Sequence, residues 1–146
     1  MDDLHEKKSA PGRPGMPGRW QCADKLAVGA AAETASPVWF TLGRGVVSEV
    51  FFPDVDTAGI RDLGLIVTDG QSFFSEEQVD AETSSGWLEE GVPAFRVTNT
   101  HRGGRYRSVK EIVADPRRSA LLQQIRFEAL QGRREDYRLY AILNPH

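Results

Sequence analysis

Short apolar runs separated by turn residues recur along the chain and predict β-strands. The runs Val38–Leu42 and Val46–Phe52 flank Gly43-Arg44-Gly45, which predicts a hairpin with a glycine-containing loop. The aliphatic run Leu63–Thr68 stops at Asp69-Gly70, a pair that suits a tight turn into Ser72-Phe73-Phe74, because glycine tolerates positive φ. The first half of the chain is therefore expected to contain two hairpins.

The second half shows the period of two that is typical of half-buried strands. Ala94–Thr100 alternates apolar and polar positions, Tyr106–Ala114 ends before Pro116, and the segment 137–143 repeats apolar residues at every second position. The segment 119–130 fits both a helix and a strand, and we favour a strand because Phe127 shares one strand face with Leu121 but leaves the helical stripe.

About eight to ten short antiparallel strands in a domain of this size predict an all-β sandwich. The acidic, weakly periodic stretch Ser75–Gly91 is expected to be a solvated excursion that Trp87 pins to the core. Residues 1–19 contain three Pro-Gly pairs and few apolar side chains, so we expect an extended arm at 1–19 and a folded domain at 20–146.

Composition agrees with a single water-soluble domain. The 146 residues are 40% hydrophobic and 27% charged, with a formal net charge of −3. The single cysteine, Cys22, excludes an internal disulfide framework. No apolar run is long enough to span a membrane, and the first residues lack the apolar stretch of a signal peptide, which predicts a cytoplasmic protein, or an extracellular one if the N-terminus is misassigned.

Charge is distributed unevenly along the chain. Residues 28–100 carry 12 acidic and 3 basic side chains, whereas residues 101–146 carry 5 acidic and 10 basic ones. The acidic part would repel phosphate, so we do not expect nucleic-acid binding, and we interpret the two parts as paired strands of opposite charge. The basic residues of the second part include Arg102, Arg105, Arg107, Lys110, Arg117 and Arg118.

Catalytic and cofactor motifs are absent from the sequence. It has no dinucleotide or phosphate-binding glycine motif, no nucleophile elbow, and no histidine or cysteine pair at metal-ligand spacing, so neither a metal nor a cofactor is expected. The segment Asp54–Gly59 starts like a calcium loop but has Ala58 at a ligand position. Neighbouring acids such as Glu76-Glu77 are typical of a solvated face, so no catalytic carboxylate pair is expected either.

Tryptophans offer another kind of chemistry, because their rings stack on sugars. Trp39 lies inside an apolar run and is expected in the core, whereas Trp20 and Trp87 are candidates for sugar stacking.

The order of several longer motifs resembles the N-terminal domain of bacterial glucoamylases and glucodextranases of glycoside hydrolase family 15. The resemblance extends from about Ala10 to His146 and is most specific between Val38 and Gly70. The motifs that carry it are Ala10-Pro11-Gly12, Pro17-Gly18-Arg19-Trp20, Val38–Gly45, Glu49–Pro53, Asp56 and Arg61–Gly70, with weaker likeness at Phe73–Glu77, Ser108–Lys110 and Tyr137–Tyr140.

The resemblance implies an antiparallel β-supersandwich of the galactose mutarotase type that precedes an α/α-barrel. The barrel of that family holds the two catalytic glutamates, so no catalytic residue is expected in this chain, and hydrolysis of α-glucosidic bonds would belong to the whole enzyme.

Two functions follow as hypotheses. In the first, the sandwich braces the catalytic barrel through residues beside the loop that leaves a core strand, since loops of mixed charge suit docking. The residues proposed for this interdomain contact are Phe51, Phe52, Pro53, Asp56, Arg61 and Asp62. An internal ion pair of Arg61 with Asp54 or Asp56 is the competing interpretation. In the second, the chain is a stand-alone carbohydrate-binding module for α-glucan that uses Trp20 or Trp87.

Overall fold

The chain forms a sandwich of two antiparallel sheets in a computed structural model that describes residues 24–146. The predicted arm at 1–19, Trp20 and Cys22 lie outside the described residues. The strands are β1 (Ala27–Ala30), β2 (Trp39–Gly43), β3 (Val46–Phe51), β4 (Ala58–Thr68), β5 (Phe74–Glu76), β6 (Ala81–Trp87), β7 (Ala94–His101), β8 (Tyr106–Ala114), β9 (Leu121–Ala129) and β10 (Arg138–Pro145); the helices are α1 (Glu77–Asp80) and a 3-10 turn (Arg134–Asp136).

The first sheet has the strand order β1-β2-β3-β4-β10, and the second has the order β6-β7-β8-β9. Strand β5 joins the first sheet by pairing with the last residues of β4. It lies on the same edge of β4 as β3, which pairs with the earlier residues of β4. Helix α1 connects β5 directly to β6, the first strand of the second sheet. These observations confirm the prediction of an all-β antiparallel sandwich.

The first predicted hairpin is β2-β3. Its turn residues Arg44 and Gly45 have φ angles of 47° and 79°, and two consecutive positive φ values are the backbone of a type I′ turn, which matches the twist of the flanking strands. The second predicted hairpin is β4-β5, in which the Asp69 carboxylate accepts hydrogen bonds from the backbone N–H groups of residues 71–73. Both turns therefore form where the glycine pattern places them.

The core lies between the two sheets. Phe40 of the first sheet meets Phe95 of the second edge to face, with ring centroids 6.0 Å apart. Such a contact adds a directional preference to the burial of two large apolar side chains. The other buried members of this core are Val38, Leu42, Val47, Val50, Val97, Ile112 and Ala114.

The structure differs from the sequence prediction in two segments and decides between helix and strand in a third. Strand β4 begins at Ala58 rather than Leu63, because its ladder with β3 continues from Leu63, which faces Val47, through Ile60, which faces Val50, and, after a register shift, to Ala58, which faces Phe51. The stretch 75–91 is ordered, as β5, α1 and β6. The ambiguous segment forms strand β9, which confirms the interpretation favoured from the sequence. No helix among residues 24–146 has the length and apolarity that a membrane crossing requires.

Gly45 is expected to be sensitive to substitution, since an added Cβ would lie 2.2 Å from Asn99 Oδ1 and 2.5 Å from Thr83 Oγ1. We expect Gly45→Ala to lower the free energy of unfolding by about 2–4 kcal/mol, because positive φ is strained in alanine and buried hydrogen bonds are displaced. Urea unfolding measures this change. Gly59→Ala is the matched control, as nothing lies within 4 Å of its added Cβ, and equal losses in both variants would contradict the account.

Candidate functional site

Four of the six residues predicted to form the interdomain contact lie at the loop end of the β3-β4 hairpin. Phe51 ends β3 half-buried, while Phe52, Pro53 and Asp56 are exposed in the loop that follows. Backbone hydrogen bonds close this loop, from Phe52 N to Thr57 O at 2.9 Å and from Thr57 N to Asp54 O at 3.1 Å. The loop therefore presents an aromatic and an acidic side chain to solvent on a hydrogen-bonded frame.

The other two predicted residues lie further along β4. Arg61 Nε and Asp62 Oδ2 form an ion pair at 3.2 Å, and Asn144 of β10 donates a hydrogen bond to Asp62 Oδ1. At about 3.3 Å per strand residue, Arg61 is roughly 10 Å from the start of β4. The structure thus brings the first four residues together at the end of the hairpin and separates Arg61 and Asp62 from them along the strand.

Trp39 belongs to the same surface, although its burial was expected. It is 42% exposed, whereas its neighbours Val38 and Phe40 are buried, and it lies directly opposite Phe51 in the β2-β3 ladder. The expectation was wrong because a strand turns successive side chains to opposite faces. That alternation is also the signal that could have identified Trp39 from the sequence.

Trp87, proposed for sugar stacking, lies at the end of β6 and is 55% exposed. Its ring leans on the buried Phe95, with centroids 4.8 Å apart and an interplanar angle of 39°. One side of the indole therefore packs against the edge of the core, as expected for a residue that attaches this stretch of chain to the core. Trp20, the other candidate, lies outside the described residues.

The interior of the sandwich contains an ion pair that the sequence analysis missed. Glu77 of α1 and Lys110 of β8 are both fully buried, and Lys110 Nζ lies 2.5 Å from Glu77 Oε1. Glu77 was expected on a solvated face, and Lys110 was listed among the basic residues of the second part. The expectation for Glu77 is wrong, because Lys110 compensates its charge where water is excluded.

Further hydrogen bonds complete this pair and link the two sheets. Lys110 Nζ also donates to the carbonyl of Gly45 at 2.5 Å, and Asn99 Nδ2 donates to the same carbonyl and to Glu77 Oε2, both at 2.8 Å. Glu77 accepts two more hydrogen bonds, from Leu65 N at 3.0 Å and from the Ser108 hydroxyl at 3.1 Å. We call Glu77, Lys110, Asn99, Ser108 and the Gly45 carbonyl the interior polar cluster.

Electrostatics agrees with a structural role for this cluster. Burial lowers the pKa of Lys110 because it penalises the ammonium ion, and the adjacent Glu77 carboxylate opposes that effect. At the surface, cross-strand pairs join Arg96 to Glu111 at 2.8 Å and Arg107 to Glu128 at 3.2 Å. Neither of these strand pairs joins an acidic residue of 28–100 to a basic residue of 101–146, which is the pairing that the charge distribution predicted. The Glu77–Lys110 pair does join the two parts in that sense, although Glu77 lies in α1 rather than in a strand.

Three stacked aromatic side chains, His101, Tyr106 and Phe127, lie beside the interior polar cluster. The ring of Tyr106 is buried between His101 and Phe127, with centroids 5.3 and 5.6 Å away, and its hydroxyl lies 2.9 Å from the Ser75 hydroxyl. Burial raises the pKa of Tyr106 to about 12, although the hydrogen bond to Ser75 acts in the other direction. Burial also lowers the pKa of His101. Across residues 24–146, no three potential ligands converge as a metal site would require.

Comparisons with known proteins identify the family of this sandwich. The two layers define a β-sandwich domain, and the family described as glucodextranase, domain N, matches residues 10–146. A glucoamylase of Clostridium sp. (strain G0005) is 41% identical over 144 residues, which cover 99% of this chain and 20% of that protein. This chain also matches the crystal structure of a bacterial glucoamylase in complex with acarbose. The two sequences are 40% identical, and the TM-score is 0.87, with 94% of this chain and 20% of that chain covered.

The chain therefore belongs to the glucodextranase domain N family. It spans about one fifth of the length of the glucoamylases that it matches, so it corresponds to one part of a larger polypeptide in those proteins.

Breaking the interior ion pair from one side should be costly. We expect Lys110→Met to lower the free energy of unfolding by about 3–5 kcal/mol, because it leaves the Glu77 carboxylate buried without its cation. The double variant Lys110→Met/Glu77→Leu should lose less than the sum of the single variants. Arg107→Met, in the exposed pair, is the control and should change stability by less than about 1 kcal/mol. Additive losses in the double variant would refute the coupling.

Tyr106 makes the free energy of unfolding depend on pH in the alkaline range. Its folded-state pKa of about 12 exceeds the ordinary value of 10.0, so the folded protein keeps a proton that the unfolded chain releases. This contribution is fully present below pH 10 and is lost as the pH rises through 12. Urea unfolding across that range should show the loss in the natural protein, and Tyr106→Phe should reduce it. An unchanged slope in Tyr106→Phe would assign the loss to other groups.

Proposed function

We propose that this chain is the non-catalytic β-sandwich domain of a glucoamylase-type glycoside hydrolase, where it packs against a catalytic α/α-barrel and braces it during α-glucan breakdown. Its membership of the glucodextranase domain N family supports this function, as does the likeness to two glucoamylases in which the matching region is one fifth of the chain. The same findings favour bracing over an independent carbohydrate-binding module.

The surface proposed for the contact is the end of the β3-β4 hairpin, and its exposed aromatic side chains are the observation that carries the proposal. Phe52 is exposed in the loop, and Trp39 and Phe51 are paired across β2 and β3 beside it. Aromatic residues are enriched where protein surfaces bind each other, because they bury a large area with few rotatable bonds. Asp56 and the Arg61–Asp62 pair would form a polar rim around this aromatic group.

A chimeric enzyme tests the contact with all parts of the protein present. In the Clostridium glucoamylase, this chain would replace the 144-residue region that it matches. We expect the chimera to release glucose from starch and the chain by itself to hydrolyse nothing. Phe52→Ala and Arg61→Ala should each lower the thermal stability of the chimera. Loss of a central aromatic contact typically costs about 1–2 kcal/mol. Calorimetry and the half-life of activity at elevated temperature measure the effect.

Each variant has a matched control on the same domain. Phe74→Ala removes another exposed phenylalanine. Phe74 begins β5 and pairs with Thr68, at the end of β4 that lies away from the β3-β4 loop. Arg107→Ala removes another paired surface arginine. Both should leave the chimera as stable as the unmodified chimera. The contact would be refuted if Phe52→Ala and Arg61→Ala destabilised the chimera no more than they destabilise the chain by itself.

A further inference from the structure

The turn between β7 and β8 packs against His101, the histidine that ends β7. The backbone N–H of Gly103 donates a hydrogen bond to His101 Nδ1 at 3.1 Å. A second bond, from Gly104 N to His101 O at 2.8 Å, closes the turn. Because an imidazole nitrogen accepts a hydrogen bond only while it carries no proton, this geometry assigns the neutral imidazole with its proton on Nε2.

Gly103 permits this close approach of backbone and ring. A Cβ atom at residue 103 would lie 2.8 Å from His101 Cε1, closer than van der Waals contact, and 3.1 Å from Nδ1. The turn backbone therefore lies directly against the edge of the imidazole that carries Nδ1. A proton added to Nδ1 would point at the Gly103 N–H, and two donors do not form a hydrogen bond with each other, so either the ring or the turn must move.

Aromatic neighbours hold the imidazole ring in place. Its centroid lies 5.3 Å from that of Tyr106, with the rings stacked at 26°, and 5.2 Å from that of Phe73, which it meets edge to face at 89°. Tyr106 is fully buried, and its hydroxyl lies 2.9 Å from the Ser75 hydroxyl. Since the ring packs on a neighbour that is fixed in the interior, we expect protonation to displace the turn rather than the ring.

Burial among these rings is the largest influence on the charge of His101. It penalises the imidazolium ion and lowers the pKa of His101 from its ordinary value of 6.5, while Asp80 raises this pKa and Arg105 lowers it. The proton is therefore accepted only in acid below pH 6.5. The titratable side chains of the elements around His101 are Asp80 in α1, Arg102 and Arg105 in the turn, and Tyr106 in β8, and the β4-β5 turn contributes the uncharged ring of Phe73.

Arg105 connects this turn to the β4-β5 turn of the first sheet. Its guanidinium carbon lies 4.5 Å from the centroid of the Phe73 ring, within the range of a cation–π contact. Its carbonyl accepts hydrogen bonds from Leu130 N at 2.9 Å and from Gln131 N at 3.1 Å. Movement of the β7-β8 turn would therefore reach the first sheet and the end of β9.

We propose that His101 is a pH-sensitive switch: the neutral imidazole holds the β7-β8 turn closed through Gly103, and protonation at Nδ1 releases the turn and its contact with the β4-β5 turn. One proton from solvent adds to the Nδ1 lone pair, the hydrogen bond from Gly103 is lost, and every covalent bond stays intact. The inference does not depend on the proposed role in a glycoside hydrolase, because the groups that it uses contact one another within this chain.

Nuclear magnetic resonance of the 146-residue chain from about pH 8 to about pH 4 tests the switch. The nitrogen shifts of the His101 imidazole should show the Nε2–H form at neutral pH. As His101 titrates, the Gly103 amide should lose about 5- to 10-fold of its protection from hydrogen exchange, corrected for the intrinsic rate, which is what one average hydrogen bond supports. The Leu88 amide, bonded to Ala94 O at 2.9 Å in the β6-β7 hairpin, is the internal control and should stay protected.

Two variants separate the hydrogen bond from the ring contacts, and circular dichroism verifies that each keeps its strands. His101→Asn retains an acceptor for the N–H two residues further on, as in an Asx turn, but it does not titrate, so the protection of Gly103 should no longer depend on pH. His101→Phe retains a ring beside Tyr106 and Phe73 but has no acceptor, so Gly103 should be unprotected at every pH.

Hydrogen exchange followed by mass spectrometry repeats the test in the full-length Clostridium chimera. The segment 101–106 should exchange faster below pH 6.5 in the unmodified chimera, and His101→Asn should abolish this change. Four results would overturn the proposal: a proton on Nδ1 at neutral pH, constant protection of Gly103 while His101 titrates, the same pH dependence in His101→Asn, or an equal loss of protection at Leu88.

Discussion

The contact between the Glu77 carboxylate and the Lys110 ammonium is the interaction on which the rest of the sandwich depends. It lies where water is excluded, and its hydrogen bonds reach the Leu65 backbone in β4, the Gly45 carbonyl at the β2-β3 turn and the Asn99 amide in β7. An apolar contact tolerates small shifts, whereas buried charges are costly unless every partner is in place. The cluster therefore specifies how the two sheets are positioned relative to each other.

Exposed apolar side chains of the domain belong to a loop in one place and to a sheet in another. At the end of the β3-β4 hairpin, backbone hydrogen bonds hold Phe52 outward beside Trp39, in a loop that is separate from the core. At the β10 edge, the exposed groups belong to the sheet itself, and Leu139 and Leu143 continue the apolar face that β4 buries. A loop of mixed charge suits a specific contact between domains.

The sequence proposed six residues for the candidate contact, and the positions of Trp39 and Glu77, which it misjudged, have identifiable physical causes. The alternation of side chains in a strand would have placed Trp39 on the outer surface, had it been weighed above the apolar character of its neighbours. No comparable local signal marks Glu77, because its partner Lys110 is 33 residues away and belongs to the other sheet. An acidic residue in an acidic stretch looks solvated until a distant strand supplies the compensating cation.

Local patterns in the sequence determined most strands, both glycine-containing hairpins and the all-β class, because the period of two and the preference of glycine for positive φ act over a few residues. Motif order between Val38 and Gly70 also indicated the family. The tertiary structure alone decided where β4 begins and that Glu77 and Lys110 meet in the interior. Each of these depends on which strands become neighbours, and that depends on contacts between residues far apart in the chain.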